Sequence, residues 1–238
     1  MKALHIITPV KDSIDSTIDT MTAIRAAQLS MPHRYTIYND LSTPENTARL
    51  HREAEALGIE VVDLDTLTDT PSPNYLFVLR HCQQLALAAD AGLLIVESDV
   101  TIQPDTLQRL YDAALQRPDC GLAAAVTVDE QGAINYPYLY AKGWDGREVD
   151  CAKHLSFCCT LLTPALLQRV DFSALDDSKN WFDVTISHLS REAGLRNWLF
   201  CNLPVLHRPH ASRPWKQLKY TNPLKYYWLK WTKGFDKI

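Results

Sequence analysis

Short apolar runs alternating with amphipathic stretches organise the first hundred positions of the chain. Residues 3–9, Ala3-Leu4-His5-Ile6-Ile7-Thr8-Pro9, read as a buried strand. A helix follows, its apolar face marked by Ile14, Ile18, Met21 and Ile24 at helical spacing. Tyr35-Thr36-Ile37-Tyr38 forms a second strand ending at Asn39-Asp40. Ser42-Thr43-Pro44-Glu45 carries the marks of a helix start: a hydroxyl cap, a proline in the first turn and an acid beside it. Gly58 stops that helix, and residues 59–64 make a third strand. A polar linker, 65–73, leads into a helix from about Tyr75 to Asp90, and the apolar run Gly92-Leu93-Leu94-Ile95 is a fourth strand.

Beyond Pro104 the pattern is less regular. Leu107, Leu110, Tyr111, Ala114 and Leu115 mark one face of a helix. Ala123-Ala124-Ala125-Val126 is a strand, Gln131-Gly132 a turn, and Tyr136-Pro137-Tyr138-Leu139-Tyr140 follows. A strand is expected over 154–163, a short helix over 164–170, a helix over 181–193 ending before Gly194, and a last strand over 197–207. Strands that alternate with helices imply βαβ units, so the expected class is α/β with a mostly parallel central sheet and flanking helices. The expected division is a Rossmann-like nucleotide-binding half, 1–103, an irregular acceptor half, 104–212, and a basic aromatic tail, 213–238.

The most informative segment is Val96-Glu97-Ser98-Asp99, which ends the fourth strand. In an open α/β sheet the carboxyl ends of the strands are where ligands sit. Alternate strand residues share a side, so Glu97 and Asp99 can converge on one object. Two carboxylates facing one point repel unless something positive lies between them, and a divalent metal carrying a diphosphate meets that need. Thr8-Pro9-Val10 and Asn39-Asp40 end two further strands on the same edge. A loop such as the first can hold a base or ribose, and Asp40 can accept a hydrogen from either. The sequence contains neither G-x-G-x-x-G nor a P-loop, and only 8 glycines in all, which argues against a Rossmann dehydrogenase or a P-loop enzyme.

Asp183, near the start of its helix, either complements the helix dipole or acts as a general base beside Trp181 and Phe182. His207 ends the last strand; if that strand returns to the edge carrying Asp99, its ring can supply a nitrogen to the metal. Nitrogen ligation suits manganese better than magnesium. The six cysteines, Cys82, Cys120, Cys151, Cys158, Cys159 and Cys201, form no C-x-x-C pair and read as buried free thiols of a reducing compartment.

With 46% hydrophobic and 22% charged residues the composition is that of an ordinary globular protein, and no apolar stretch reaches the roughly 20 residues that span a bilayer. The amino-terminal apolar run reads as a first strand rather than a signal peptide. Charge is uneven along the chain. Residues 213–238 hold seven Lys or Arg and one acid, Asp236, a balance of +6; the rest carries 17 basic and 27 acidic residues, or −10. A tail that interleaves lysine with Trp215, Tyr220, Tyr226, Tyr227, Trp228 and Trp231 suits a membrane interface or a docking partner, and nucleic acid is not expected.

Taken in order, Ile7-Thr8-Pro9-Val10, Asn39-Asp40-Leu41-Ser42, Glu97-Ser98-Asp99-Val100, Trp181-Phe182-Asp183 and Val205-Leu206-His207 resemble the motifs of family 2 glycosyltransferases of the GT-A fold. The resemblance covers roughly residues 3–210. It implies transfer of one sugar, with inversion, from a nucleotide-diphosphate donor, a UDP-sugar foremost, to a glycan or lipid-linked acceptor. By position it implies that Thr8, Pro9, Val10 and Asp40 cradle the nucleoside, with Glu97 and Ser98 at the nucleotide sugar. It further implies Asp99 and His207 as ligands of a divalent metal, Mn2+ over Mg2+, and Asp183 as the base. A cytoplasmic protein, peripheral on the inner membrane face, is the implied setting. The sequence departs from the family at Glu97, where aspartate is usual, at Leu41, where many members have glycine, and at Lys11. The Q-x-x-R-W motif of processive synthases is absent from the sequence. Two alternatives stay open: a non-catalytic binding or scaffold protein on this fold, and a nucleotidyltransferase on a related one.

Overall fold

The computed structural model describes residues 1–178, 181–208, 218 and 222–233. In chain order the elements are β1 (Ala3–Val10), α1 (Ile14–Arg25), β2 (His33–Asn39), α2 (Pro44–Leu57), β3 (Glu60–Asp63), α3 (Tyr75–Ala88), β4 (Ala91–Val96) and β5 (Val100–Thr101). Then come α4 (Thr106–Leu115), β6 (Cys120–Val128), β7 (Glu148–Asp150), β8 (Cys159–Leu162), α5 (Pro164–Arg169), α6 (Phe182–Glu192), β9 (Arg196–His207) and α7 (Pro223–Lys233). The start of α2 is built as its sequence dictates: the Thr43 hydroxyl accepts from the Asn46 amide and Pro44 fills the first turn. Gly58 ends the helix at φ 65°, a left-handed conformation that glycine adopts without steric penalty.

The strands form one nine-stranded sheet in the order β3-β2-β1-β4-β8-β6-β9-β5, with β7 also paired to β9. Parallel pairing joins β1 to β2 and β4, β2 to β3, and β6 to β9. β8 is antiparallel to both β4 and β6, so β6 and β9 point the same way as β1 to β4. Only β8 and the short β5 and β7 run in reverse. The mostly parallel sheet expected from the βαβ pattern is therefore present. Every residue of β4 is buried, which explains its unbroken apolar run. Its alternate residues feed two separate cores: Leu93 and Ile95 pack with Leu79, Leu162, Leu166 and Ile186, whereas Leu94 and Val96 pack with Leu107, Leu110, Phe200 and Val205. A third cluster joins Val10 and Ile37 to Ile14, Met21 and Leu50 under α1 and α2.

Three boundaries depart from the sequence pattern. The strand expected over 154–163 is confined to Cys159–Leu162. Just before it, backbone groups bond to side chains instead of a ladder: the Tyr138 hydroxyl donates to Ser156 O and accepts from Ser156 N, and the Leu155 amide donates to Ser187 Oγ. Leu64 belongs to a 3₁₀ turn rather than to β3. The short β5 and β7 are additional strands, each paired with β9. Of the tail expectation, only 218 and 222–233 lie within the described residues; Trp215 and Tyr220 lie outside them. All six cysteines are buried and free.

Candidate active site

Strand direction decides which residues meet. β1, β2, β4, β6 and β9 all deliver their carboxyl ends to one edge of the sheet, and β8, running in reverse, begins there. The helices α3 and α6 lead into β4 and β9, so their first turns lie at the same edge. Val10, Asn39, Glu97, Cys158, His207, Tyr75 and Asp183 are thereby gathered from segments far apart in sequence.

Glu97 and Asp99 do not lie on the strand itself, which ends at Val96. They flank a turn closed by the Val100 amide donating to Glu97 O, after which Val100 pairs with His207. That pairing places His207 Nε2 3.3 Å from Asp99 Oδ2, with both side chains buried. On its other side the ring meets the carbonyl of Tyr136, 2.7 Å from Nδ1. A carbonyl can only accept, so Nδ1 carries the proton and Nε2 faces the acids. The Glu97 amide donates to Cys158 O at 2.9 Å, and the Cys158 thiol donates to Glu97 Oε2 at 3.3 Å.

The electrostatics follow from burial and from like charge. Burial raises the Glu97 carboxyl, and the neighbouring Asp99 raises it further; partly offset by His207, the result is about 7. For His207 burial opposes the charged form, but the Asp99 carboxylate and then Glu97 outweigh it and the imidazole is raised. The Cys158 thiol is pushed well up, first by burial and then by Glu97. Buried negative charge held by proximity is the condition under which a bound cation is stabilising. Glu97, Cys158 and His207 each offer one donor atom, and these lie within 4.8 Å of one another. Carboxylate oxygen with imidazole nitrogen is a donor set that fits a divalent transition metal, so the residues present suit such an ion.

Asp183 stands in the first turn of α6, half-buried, and its Oδ1 accepts from the Val184 amide at 2.9 Å. Its charge contributes to raising Glu97, which sets the two carboxylates in one electrostatic neighbourhood. Both carboxylates also act on Tyr75, which is stacked on Phe182 with ring centroids 6.4 Å apart. Among the described residues its buried hydroxyl has no hydrogen-bond partner, and burial, Glu97 and Asp183 together raise it. Tyr75 and Cys158 were not among the residues that the sequence singled out. Tyr75 reads only as a helix start, and Cys158 only as one apolar-run thiol among several.

The nucleoside-edge residues fall as follows. Thr8 and Val10 turn inward: Thr8 Oγ1 bonds Tyr35 Oη at 3.0 Å and Val10 packs beneath α1, so a ligand at this edge meets their backbone rather than their side chains. Pro9 points to the opposite face and is half-buried. Asp40 Oδ2 accepts from Ser72 Oγ and the Asn74 amide, and Oδ1 accepts from Asn74 Nδ2, which leaves acceptor capacity on Oδ1. Leu41 adopts φ 54°, a left-handed conformation more at home in glycine. Lys11 Nζ donates to the carbonyls of Asp40 and Leu41 and pins that turn. Asp12 Oδ1 accepts from the Thr43 amide and Asn46 Nδ2, tying the first loop to the second. Ser98 is buried in the turn between the two acids.

No protein-family model matches the chain, and no curated protein matches it by sequence. Solved structures resemble it nonetheless. Against the mannosyltransferase PcManGT from Pyrobaculum calidifontis, in complex with GDP-Man and Mn2+, the TM-score is 0.64 at 14% identity, covering 94% of this chain and 62% of that one. TarS 1-349 of S. aureus, in complex with UDP-GlcNAc, gives 0.58 at 14% identity over 88% of this chain and 60% of that one. Glucosyl-3-phosphoglycerate synthase from Mycobacterium tuberculosis, in complex with Mn2+, UDP and glucosyl-3-phosphoglycerate, gives 0.56 at 16% identity over 99% and 81%. The chain thus spans about three fifths of the length of the first two. Likeness this extensive at so low an identity is likeness of architecture, and the architecture of this chain is the GT-A fold.

Proposed function

We propose that the chain is a glycosyltransferase that moves one sugar from a nucleotide-diphosphate donor to a glycan or lipid-linked acceptor. The observation that carries this reading is the convergence of half-buried Glu97 with buried Asp99 and His207 at the carboxyl edge of a GT-A sheet. Neighbours of the same fold hold GDP-Man, UDP-GlcNAc or UDP, two of them with Mn2+, which supports both donor and metal classes. A UDP-sugar is the favoured donor. Asp99 and His207 hold a divalent cation, Mn2+ in preference to Mg2+, whose positive charge complements that of the diphosphate.

The protein's own groups do the rest. The backbone of Thr8, Pro9 and Val10, with the remaining acceptor capacity of Asp40, positions the nucleoside, and Glu97 and Ser98 line the nucleotide sugar. Asp183 takes the proton of the acceptor hydroxyl as its oxygen attacks the anomeric carbon. Attack comes from the face opposite the diphosphate, which departs with the electron pair of the broken C–O bond, so the configuration inverts. Tyr75 and Phe182 wall the region of Glu97 and Asp183 and restrict water there. The chain works in the cytoplasm, peripheral to the membrane, with the α7 segment of 213–238 as its contact.

The test is thermal unfolding with a panel of nucleotide diphosphates and nucleotide sugars, with and without Mn2+, for wild type and Asp99→Asn. A ligand at 100 times its Kd adds about 2.7 kcal/mol, a readily measured shift. A Mn2+-dependent shift with one nucleotide, lost in Asp99→Asn, is expected. The absence of any shift would overturn the donor site. Binding without turnover of donor would leave a non-catalytic protein on this fold.

A further inference from the structure

Nothing in the sequence pattern separates Cys158 from the other five thiols, but its place in the fold does. Cys158 precedes β8 at the edge where β4 ends, and the backbone bond from the Glu97 amide to Cys158 O fixes the two residues side by side. Its thiol lies 3.3 Å from Glu97 Oε2 and 4.0 Å from His207 Nε2. Cys159, one residue on, lies within β8 opposite Val96, in the same apolar cluster as Leu161 and Phe200.

The spacings decide what could sit among these donors. Zinc binds sulfur at about 2.3 Å, imidazole nitrogen at about 2.0 Å and carboxylate oxygen at about 2.0–2.2 Å, so two donors on one ion stand no more than about 4.3–4.5 Å apart. The observed 4.0 and 3.3 Å fall inside that limit. The Tyr136 carbonyl, by accepting a hydrogen bond from Nδ1–H, aims Nε2 at the same point, as carbonyls behind ligating histidines do.

Granting that this edge binds a divalent cation, as proposed above, we infer that Cys158 is itself a ligand. With Glu97 and His207 it forms a thiolate-containing site that prefers a borderline-soft ion, zinc foremost, to manganese or magnesium. When the sulfur–metal bond forms, the sulfur lone pair makes it and the thiol proton passes to solvent. Asp99 Oδ2, 3.3 Å from His207 Nε2, borders this three-donor set. Three protein donors leave the fourth position of a tetrahedral ion open. Zinc in this site therefore competes with manganese for the His207 nitrogen.

Cobalt(II) tests this directly, because a thiolate ligand gives a charge-transfer band in the near ultraviolet whatever the catalytic state of the protein. Wild type titrated with cobalt should show the band, and zinc should abolish it by displacement. The band should vanish in Cys158→Ser, or in Cys158→Ala if the serine variant does not fold, and persist in Cys159→Ser. Zinc affinity should fall at least tenfold in the Cys158 variants. No band in wild type, or a band that survives loss of Cys158, would overturn the inference. The Mn2+-dependent nucleotide shift of wild type, measured in parallel, separates the two readings. A shift without the band removes only Cys158 as ligand, whereas neither shift nor band strikes the cation site as a whole.

Discussion

His207 and Tyr136 are 71 residues apart, yet the imidazole Nδ1 lies 2.7 Å from the Tyr136 carbonyl. The Asn135 side chain adds a second tie, donating to His207 O at 2.9 Å. The ring is therefore held from behind, with Nε2 presented to Asp99, an arrangement that lowers the cost of orienting a ligand when an ion arrives. If His207 binds the ion, His207→Ala should weaken the Mn2+-dependent part of nucleotide binding by about tenfold or more. Metal-independent binding should change little. Calorimetric titration of nucleotide at several Mn2+ concentrations checks this; equal losses with and without the ion would remove His207 as a ligand.

Asp183 offers a sharper separation of roles. Its carboxylate accepts from the adjacent Val184 amide, and it starts α6 where negative charge suits the helix dipole. As the base, Asp183→Asn should leave donor binding and melting temperature nearly unchanged while transfer falls by about 10²–10⁴-fold. A role confined to the helix terminus would instead lower stability by about 0.3–1 kcal/mol and spare turnover. Single-turnover transfer and a melting curve on the same sample distinguish the two.

Much of this was legible in the sequence because local chemistry and global fold agree. Thr43, Pro44 and Gly58 bound α2 as their types dictate, and the unbroken apolar run before Glu97 is the fully buried β4. The βαβ rhythm gave the parallel half of the sheet, and with it the edge to which Asp40, Glu97 and Asp99 belong. What could not be read depends on contacts remote in sequence. Cys158 enters the site only because β8 runs antiparallel to β4, and Tyr75 only because α6 brings Phe182 against it. Neither relation leaves a periodicity or a spacing. The strand expected before Cys159 failed for a similar reason, since its polar backbone is satisfied by Tyr138 and Ser187 from elsewhere.

His5 links the fold to pH. It sits buried on β1, and its Nε2 has no hydrogen-bond partner among the described residues. Burial, with Arg34 adding repulsion, lowers its pKa from 6.5 to about 4. The unfolded chain therefore binds a proton below pH 6.5 that the folded chain refuses until about pH 4. Stability falls as the pH drops through that window, by up to about 1.4 kcal/mol per pH unit from this group, and no penalty exists above it. His5→Met should remove that share. Urea midpoints at pH 7, 5.5 and 4.5 should decline less steeply in the variant, and parallel declines would show that His5 is not responsible.

The helix α7 makes the membrane reading specific. Leu224, Tyr227, Trp228 and Trp231 recur at i, i+3, i+4 and i+7, so they share one face, and they are 86%, 59%, 60% and 92% exposed. Tyr226, on the far side of the helix, is the buried residue. Lys225 and Lys230 project from either flank of the apolar stripe. An apolar face rich in tryptophan and bordered by lysine is the pattern of a helix lying in a bilayer interface, and no helix among the described residues is long and apolar enough to cross one. Each large side chain withdrawn from water into the interface contributes about 1.5–3 kcal/mol when fully buried, so Trp231→Glu or Leu224→Glu should weaken vesicle binding by about tenfold or more. The lysines predict a preference for anionic over neutral vesicles that declines with salt, at about 1 kcal/mol per charge near the surface. Because Leu224 and Trp231 stand exposed on this face, melting temperature should hold in both variants. Co-sedimentation with phosphatidylglycerol and with phosphatidylcholine vesicles decides it: binding to neither, or binding indifferent to both substitutions, would assign the stripe to a protein partner instead.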